Sequence, residues 1–252
     1  MSHITDYPQP PDETGRLEGV AYDLRLPPDD APAPAVVILH GSGSRKENHA
    51  DYARMAAAHG CVALTFDARG HGDSEGKLGP GVIVDIERLA RLLAERPEVD
   101  QRRIAVRGSS MGGLLAIHAG AAIERVAAVV AICPASEALM IDDVRRLARG
   151  ERLDESGLDP DRVDAPALAA WLEEHDVREA AALMGDKPLM LVHARGDEVV
   201  PYAISEQIYE RASEPKRLLL TEGGHHRSLQ HDAEIQGETL RWLVKAMARS
   251  GA

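Results

Sequence analysis

The stretch that decides the fold is Ile104-Ala105-Val106-Arg107-Gly108-Ser109-Ser110-Met111-Gly112-Gly113-Leu114-Leu115. It begins with the apolar run Ile104 to Val106, which is typical of a buried strand, and it continues into the helix-like apolar spacing of Met111 to Ala121. Between the two, the pattern Gly-x-Ser-x-Gly is centred on Ser110. Small residues on both sides of a serine let a strand and a helix approach across a strained turn. The pattern therefore predicts that the Ser110 hydroxyl is lifted above the edge of a sheet.

Apolar strand-like runs alternate with helical patterns along the rest of the chain, which is typical of a mostly parallel sheet covered by helices on both faces. The predicted core strands are Val36–Leu39, Cys61–Phe66, Ile104–Val106, Val126–Ile132, Leu189–Val192 and Arg217–Leu220. The predicted helices are Asp51–His59, Val84–Glu95, Met111–Ala121, Ile204–Arg211 and Ala233–Met247. Val20–Leu26 alternates apolar and polar residues, and the Pro-rich turn Pro27–Pro34 after it suggests an antiparallel edge hairpin. We expect a single α/β domain over residues 1–252.

The segment 136–187 interrupts this alternation and contains two predicted helices, Ile141–Arg149 and Ala165–Glu174. It carries 14 acidic and 7 basic side chains, so its net charge of −7 is more than half of the −12 of the whole chain. The two helices could form a small cap over a pocket, or they could complete the core. The apolar residues that would face such a pocket are Leu139, Met140, Ile141, Leu168, Trp171 and Leu172.

The composition is that of a folded, enzyme-sized domain, with 252 residues, of which 44% are hydrophobic and 28% charged. The formal net charge of −12 argues against a nucleic-acid or anionic-membrane partner, because such surfaces are usually met by clusters of Lys and Arg. A neutral or cationic small molecule is easier to accommodate.

Cysteine use and the N-terminus predict a cytoplasmic protein. Cys61 and Cys133 lie in apolar strand-like runs, so we expect buried thiols in a reducing compartment. Met1 to Gln9 is polar and lacks an apolar targeting core, and no segment approaches 18 uninterrupted apolar residues. The sequence leaves the oligomeric state open, and a homo-oligomer is compatible with it.

The candidate partners of Ser110 follow two later strands. A serine hydroxyl is a weak nucleophile at neutral pH and needs a base beside it, whose orientation is fixed by an acceptor. Asp197 follows the predicted strand Leu189–Val192, and the pair His225 and His226 follows the next one. The chain order Ser, Asp, His is the order found in α/β hydrolases.

Some assignments stay open on spacing alone. The base could be His225 or His226, and Glu198 stands beside Asp197 as a second candidate acid. Ser109 offers a neighbouring hydroxyl and is the natural control for the assignment of the nucleophile.

Together these motifs resemble those of the α/β hydrolases, close to the dienelactone-hydrolase-like and small bacterial carboxylesterase branches, over roughly residues 17–249. Besides the serine pattern, His40-Gly41-Ser42-Gly43 resembles the family's oxyanion-hole turn, and Phe66 to Ser74 resembles its next loop. The resemblance implies that the backbone N–H groups of Ser42 and Met111 bind the developing oxyanion, where each donor typically contributes about 3 kcal/mol to transition-state stabilisation.

The same resemblance separates the rival candidates. It favours His226 over His225, because loops of the family often read Gly-x-x-His. It favours Asp197 over Glu198 through the spacing His-Gly-x-x-Asp, in which this chain has alanine in place of glycine. The predicted nucleophile, base and acid are Ser110, His226 and Asp197.

Other histidines are expected to be structural. His71, flanked by glycines, follows a different strand and is interpreted as part of a turn. His225, His226, His231 and Asp232 could together hold a metal ion, but histidines in such loops are more often solvated or hydrogen-bonded. Phosphate-loop, dinucleotide and zinc-ligand patterns are lacking elsewhere in the sequence, so we expect no cofactor.

The predicted reaction is two-step acyl transfer on a small-molecule ester with a small or medium acyl chain. Ser110 would attack the carbonyl, and His226 would move the proton. A peptidase, an amidase or a thioesterase with the same triad is the alternative among hydrolases. The alternative from another class is a catalytically silent ligand-binding protein that uses the same fold.

Overall fold

The computed structural model describes residues 9–29, 31–151, 153 and 157–250. The strands in these residues are β1 (Glu13–Leu17), β2 (Val20–Arg25), β3 (Ala33–Leu39), β4 (Val62–Phe66), β5 (Val99–Ser109), β6 (Val126–Ile132), β7 (Leu189–Ala194) and β8 (Lys216–Thr221). The α-helices are α1 (Ala50–Ala58), α2 (Val82–Ala94), α3 (Met111–Ala122), α4 (Glu137–Ala148), α5 (Ala165–Glu174), α6 (Val177–Leu183), α7 (Ala203–Arg211) and α8 (Ala233–Ser250).

The strands form one sheet in the order β1-β2-β4-β3-β5-β6-β7-β8. Strands β3 to β8 pair in parallel, whereas β2 pairs antiparallel with both β1 and β4. All six predicted core strands are present, and the prediction of a mostly parallel α/β sheet is confirmed. Because β5, β7 and β8 run in the same direction, their C-terminal ends lie at the same edge of the sheet.

The N-terminal edge of the sheet differs from the prediction. Strand β2 does form an antiparallel hairpin, but its partner is the upstream strand β1, and Pro27–Pro34 is not the turn. The turn is Glu18-Gly19, whose φ angles of 46° and 86° belong to a two-residue turn with a twist that matches paired strands. The described residues at the end of the Pro-rich segment instead lead into β3, which begins at Ala33 and shifts register around Pro34, where proline has no N–H to donate; Asp30 lies outside the described residues.

Helices cover both faces of the sheet. Successive strand residues face opposite sides, so Val37 and Leu39 of β3 pack into the core beneath α2 and α3, while Val36 and Ile38 pack against α1 and α8. Burial on both sides explains why the core strands are continuous apolar runs without polar alternation.

In the described residues between β6 and β7 there are three α-helices, where two helices were predicted. Helix α5 has the predicted bounds, and α4 begins at Glu137, earlier than the predicted Ile141. The sequence prediction missed α6, which has seven residues and an N-cap at Asp176 whose side chain accepts the N–H of Arg178. Helix α4 packs on α5, whereas α6 packs against α3 and α7 and so belongs to the helical layer of the sheet. Residues 152 and 154–156 of the predicted cap 136–187 lie outside the described residues.

The connection between α4 and α5 lies against two loops at the C-terminal edge of the sheet. A Cβ added to Gly43 would be 2.7 Å from the Cα of Gly157, and a Cβ on Gly157 would be 2.8 Å from the Cα of Gly43. Val163 forms an isolated parallel bridge with Leu78, and Arg162 donates to backbone carbonyls of the loop after β4. These contacts fix the α4–α5 connection over the edge at which β3 and β4 end.

The cysteines are buried thiols, as predicted. Cys61 and Cys133 are both free, and burial raises the pKa of Cys61 to about 12, so this thiol stays protonated at neutral pH. Among the described helices, none combines the length and apolar composition needed to cross a membrane.

Candidate active site

Ser110 stands at the junction of β5 and α3. Its φ of 56° lies in the left-handed region, a conformation that typically costs a serine about 1–3 kcal/mol. A Cβ on Gly108 would lie 2.0 Å from the carbonyl oxygen of Gly112, and a Cβ on Gly112 would lie 2.5 Å from the carbonyl oxygen of His40. The turn therefore requires glycine at both positions, which is the physical reason for the Gly-x-Ser-x-Gly spacing.

The imidazole of His226 lies between Ser110 and Asp197. Its Nε2 is 2.9 Å from the Oγ of Ser110, and its Nδ1 is 2.8 Å from Oδ2 of Asp197. Asp197 lies in the loop after β7 and His226 in the loop after β8, so the common edge of the parallel strands brings all three side chains together. In this arrangement Nε2 can accept the serine proton while the carboxylate orients the ring.

The carboxylate of Asp197 is buried and uses both oxygens. Oδ1 accepts the N–H groups of Val199 and Val200 at 2.9 and 2.8 Å, while Oδ2 faces His226 and the Nε2 of His193, the latter at 3.2 Å. Burial acts to raise the pKa of Asp197, but the hydrogen bonds from the two histidines and the backbone outweigh it, and the pKa lies far below its ordinary range. The carboxylate is therefore ionised at neutral pH and favours the His226 tautomer with its proton on Nδ1.

The loop after β3 lies directly against Ser110. A Cβ on Gly41 would be 3.2 Å from the Cβ of Ser110. His40 shapes this loop, because its Nε2 accepts the N–H of Ala68 at 3.0 Å, which leaves a proton on Nδ1 to donate to the carbonyl of Gly41 at 2.7 Å. Burial lowers the pKa of His40, so the ring is neutral and keeps this tautomer.

Of the two predicted oxyanion donors, Met111 directly follows Ser110, and Ser42 belongs to the loop after β3. Met111 is the first residue of α3, and the initial N–H groups of a helix have no carbonyl partner within it. Ser42 follows Gly41, whose backbone touches Ser110. The oxyanion role of these two N–H groups stays a prediction.

A buried ion pair joins the loops after β3 and β4. Asp67 accepts the backbone N–H of Lys46 at 2.7 Å and that of Asp73 at 2.9 Å. The Nζ of Lys46 lies 3.2 Å from Asp67 and 2.6 Å from Asp73; burial acts to lower the pKa of Lys46, but its carboxylate partners raise it above its usual range. Sequence reasoning missed this pair, although a carboxylate directly after the mostly apolar strand β4 is a signal that could have found Asp67, but not its partner.

The rival candidates occupy other positions. His225 is exposed, and Glu198 accepts the backbone N–H of His226 at 3.2 Å and makes no bond to its ring. His71 is buried against His40, with ring centroids 4.9 Å apart, as expected of a structural turn. Burial, with the neighbouring His40, lowers the pKa of His71 to about 4.

The alternative metal site is not assembled in the described part of the chain. His225, His226, His231 and Asp232 do not form a ligand group there, and His231 is instead hydrogen-bonded to Asp51 at 3.0 Å. Among the described residues, the one group of three or more potential ligands within reach of each other consists of Cys133, His193 and Asp197. Its histidine already faces the hydroxyl of Ser205 and the carbonyl of Val200, so we assign no metal to it.

An apolar cavity of about 10 Å³ lies between the start of α3 and helices α4 and α5. Met111, the residue after Ser110, forms part of its wall. The other lining residues are Leu78, Gly79, Pro80, Val82, Leu114, Leu115, Met140, Leu168, Trp171 and Leu172. Four of the six residues predicted to face a pocket are among them, whereas Leu139 and Ile141 line a separate groove to which α4, α5, α6 and α7 contribute.

Comparison of sequences finds matches over much of the chain. A family model described as serine aminopeptidase, S33, matches residues 30–151, just under half of the chain. The chain is 26% identical over 214 residues to the uncharacterized protein YfhR of Escherichia coli O157:H7, a match that covers 84% of this chain and 69% of that protein.

Solved structures with a similar fold align with nearly the whole chain. The α/β hydrolase GrgF from Penicillium sp. sh18 has a TM-score of 0.75 and 21% identity, covering 94% of this chain and 98% of its own. Est1E from Butyrivibrio proteoclasticus, in a structure with bound ferulic acid, has a TM-score of 0.68 and 22% identity with the same coverage. At these identities the likeness concerns the fold.

Proposed function

We propose that the chain is a serine hydrolase of the α/β-hydrolase superfamily that cleaves carboxylic esters of small or medium acyl chains, which the family model over residues 30–151 and the fold shared with GrgF support. The relatives give no specific support to the dienelactone-hydrolase-like branch, so the proposal is one of reaction type and substrate class. The observation that carries it is the continuous chain of hydrogen bonds from Ser110 Oγ through His226 to Asp197, at 2.9 and 2.8 Å.

The proposed reaction has two acyl-transfer steps. The Oγ of Ser110 attacks the ester carbonyl while Nε2 of His226 takes its proton, and the tetrahedral oxyanion is bound by the N–H groups of Ser42 and Met111. The protonated His226 then gives this proton to the departing alkoxide, which leaves as an alcohol. A water molecule next attacks the acyl-enzyme, His226 takes the water's proton and returns it to Ser110, and the carboxylic acid is released. Asp197 stays ionised and stabilises the imidazolium in both steps.

The apolar cavity supports the choice of a short acyl group. It shares Met111 with the proposed oxyanion site, and its walls are apolar. With a volume of about 10 Å³, it takes at most a methyl-sized group unless a wall residue moves. We expect longer chains to displace Met140 or Trp171, at a cost in kcat/KM.

An amide or peptide is the second candidate substrate, because the matching family model is described as a serine aminopeptidase. The same residues serve both reactions, but an amide requires His226 to protonate a poorer leaving group. The ranking is measured as kcat/KM on p-nitrophenyl esters, matched thioesters and aminoacyl p-nitroanilides. We expect the esters of short acids to rank first.

The first test is labelling with a fluorophosphonate, followed by mass mapping of the modified residue. We expect the label on Ser110 in the wild type and in Ser213→Ala, a matched control in the exposed turn before β8, and no label in Ser110→Ala. A folded wild-type protein that takes no label and cleaves none of the panel would contradict the proposal and favour the silent ligand-binding alternative.

A further inference from the structure

The loop that carries His226 runs over residues 222–232 between β8 and α8, and most of it is exposed. Its internal bonds form a tight turn, in which the N–H of His225 donates to the hydroxyl of Ser228 and that hydroxyl donates back to the carbonyl of His225, at 2.8 and 2.9 Å. A turn closed on itself does not fix the distance between His226 and the sheet. The contacts that anchor the loop to the rest of the protein therefore decide where the base stands.

Gln230, four residues after His226, receives three such contacts. The hydroxyl of Ser109 donates to its Oε1 at 2.5 Å. Its backbone carbonyl accepts the Nε2–H of Gln236 at 2.9 Å and the Nη2–H of Arg107 at 3.3 Å. Two of the three donors therefore come from β5, the strand that ends at the nucleophile.

Strand geometry explains why these two side chains reach the loop. Residues two apart on a strand face the same side of the sheet, so Arg107 and Ser109 share the face of Ala105, which packs with α1 and α8. Arg107 is fully buried there, with its guanidinium 3.9 Å above the ring of Tyr52. This placement fixes Arg107 and Ser109 as rigid points beneath the loop.

We propose that Ser109, through its bond to Gln230, is a positioning residue that sets the distance between the base His226 and the nucleophile Ser110. The bond joins the residue next to the nucleophile with the loop of the base, across 121 positions of sequence. Asp197 orients the ring of His226 but does not anchor the far end of its loop. The catalytic consequence rests on the proposed function, whereas the anchoring of the loop does not.

The hydrogen bond between Ser109 and Gln230 is tested by substituting each of the two residues. Ser109→Ala removes the donor, and Gln230→Ala removes the acceptor from a partly exposed loop residue, so that the second variant does not depend on repacking the core. Ser109→Thr keeps the hydroxyl at a position in β5 where a branched side chain suits the extended backbone. Ser213→Ala, in the exposed turn before β8, is the matched control.

Two readouts are measured on each variant. The first is kinetic: kcat and KM for p-nitrophenyl acetate and the rate constant for fluorophosphonate labelling. The second is independent of activity: hydrogen exchange of the peptide that covers residues 222–232. The thermal midpoint of the whole protein is measured beside it, so that loosening of the loop is distinguished from a loss of overall stability.

We expect Ser109→Ala and Gln230→Ala to lower kcat and the labelling rate about tenfold with KM nearly unchanged, because substrate does not touch this bond. Exchange in residues 222–232 should rise in both variants, and Ser109→Thr should restore both readouts to within about twofold. The inference is overturned if hydrogen exchange of residues 222–232 in both Ser109→Ala and Gln230→Ala equals that of the wild type. It is also overturned if kcat and the labelling rate of Ser109→Thr are as low as those of Ser109→Ala. A wild type without labelling or turnover would refute the proposed function, while the exchange data would still decide whether Ser109 anchors the loop.

Discussion

Replacing Asp197 with asparagine tests the candidate active site through one atom. The carboxylate Oδ1 accepts the N–H groups of Val199 and Val200, which hold the side chain in a single orientation. In Asp197→Asn the amide oxygen keeps these two bonds, so the amide NH2 takes the place of Oδ2 and faces Nδ1 of His226. An NH2 group donates and does not accept, so His226 has to accept at Nδ1 and carry its proton on Nε2. In that tautomer it cannot take the proton of Ser110.

The expected loss in kcat is about 10⁴-fold, as the wrong tautomer causes in comparable triads, and it corresponds to about 5.4 kcal/mol of transition-state stabilisation. The free energy of unfolding should change less. The two histidines that face Oδ2 would meet a donor in place of an acceptor, which costs about 1–3 kcal/mol. The protein therefore stays folded while its activity collapses.

The assay is kcat on p-nitrophenyl acetate together with the fluorophosphonate labelling rate, and thermal unfolding reports the stability. Glu198→Gln is the matched control, because this neighbouring carboxylate bonds the backbone of His226 and not its ring. We expect it to lose less than about tenfold in kcat. The reasoning is refuted if Asp197→Asn keeps activity within about tenfold of the wild type, and a larger loss in Glu198→Gln would identify Glu198 as the acid.

Gly112→Ala should lower the free energy of unfolding in urea by about 3 kcal/mol or more, because the added Cβ would lie 2.5 and 2.7 Å from two backbone carbonyl oxygens at the end of β3. The control is Gly81→Ala, whose added Cβ points into open space and should lower the free energy of unfolding by less than about 1 kcal/mol. Trp171→Ala should raise the octanoate-to-acetate ratio of kcat/KM for p-nitrophenyl esters about tenfold or more by opening the apolar cavity, while Trp242→Ala, remote from it, should leave the ratio unchanged. Burial, with the nearby positive charge of Arg107, lowers the pKa of His49 to about 3 from 6.5, so the unfolded state binds a proton that the folded state does not, and stability is lost as pH falls below 6.5. Between pH 8 and pH 5 this loss is about 2 kcal/mol, and His49→Phe should remove it from the pH dependence of urea unfolding; equal slopes in both proteins would contradict the assignment.

The core strands could be predicted because a sheet buried on both faces requires continuous apolar runs, and Val126–Ile132 has the bounds that the sequence predicts. The hairpin partner was wrong because its turn, Glu18-Gly19, is two residues long, while the cluster Pro27–Pro34 is the stronger turn signal. Helix α6 has seven residues, too few for the apolar period of a helix to repeat.

The residues of the candidate site also fall into those that the sequence could indicate and those that it could not. Ser110, Asp197 and His226 each follow a strand, so local pattern indicated where the candidates lie. The choice of His226 over His225 and of Asp197 over Glu198 came from the family resemblance. The structure brings the three side chains within hydrogen-bonding distance, and their catalytic roles stay predictions. Asp67 acts through contacts between loops 21 positions apart in sequence, a distance that no local spacing encodes. The role of Ser109 likewise depends on a contact between residues far apart in sequence. From the sequence, its hydroxyl was the natural control for the assignment of Ser110, but its bond to Gln230 makes it unsuitable for that purpose.

The backbone contact between Gly43 and Gly157 has a consequence for redesign of the substrate range. It sets how closely the described part of the α4–α5 connection stands to the loop after β3, and it involves none of the side chains proposed to carry out the chemistry. A residue larger than glycine at position 157 would act as a wedge against the backbone of Gly43 and Ser42, which its Cβ would approach to between 2.8 and 3.4 Å, so it should alter the substrate range by moving the loop after β3. Since the φ of Gly157 is 67°, the wedge should be asparagine, which tolerates left-handed backbone better than most side chains.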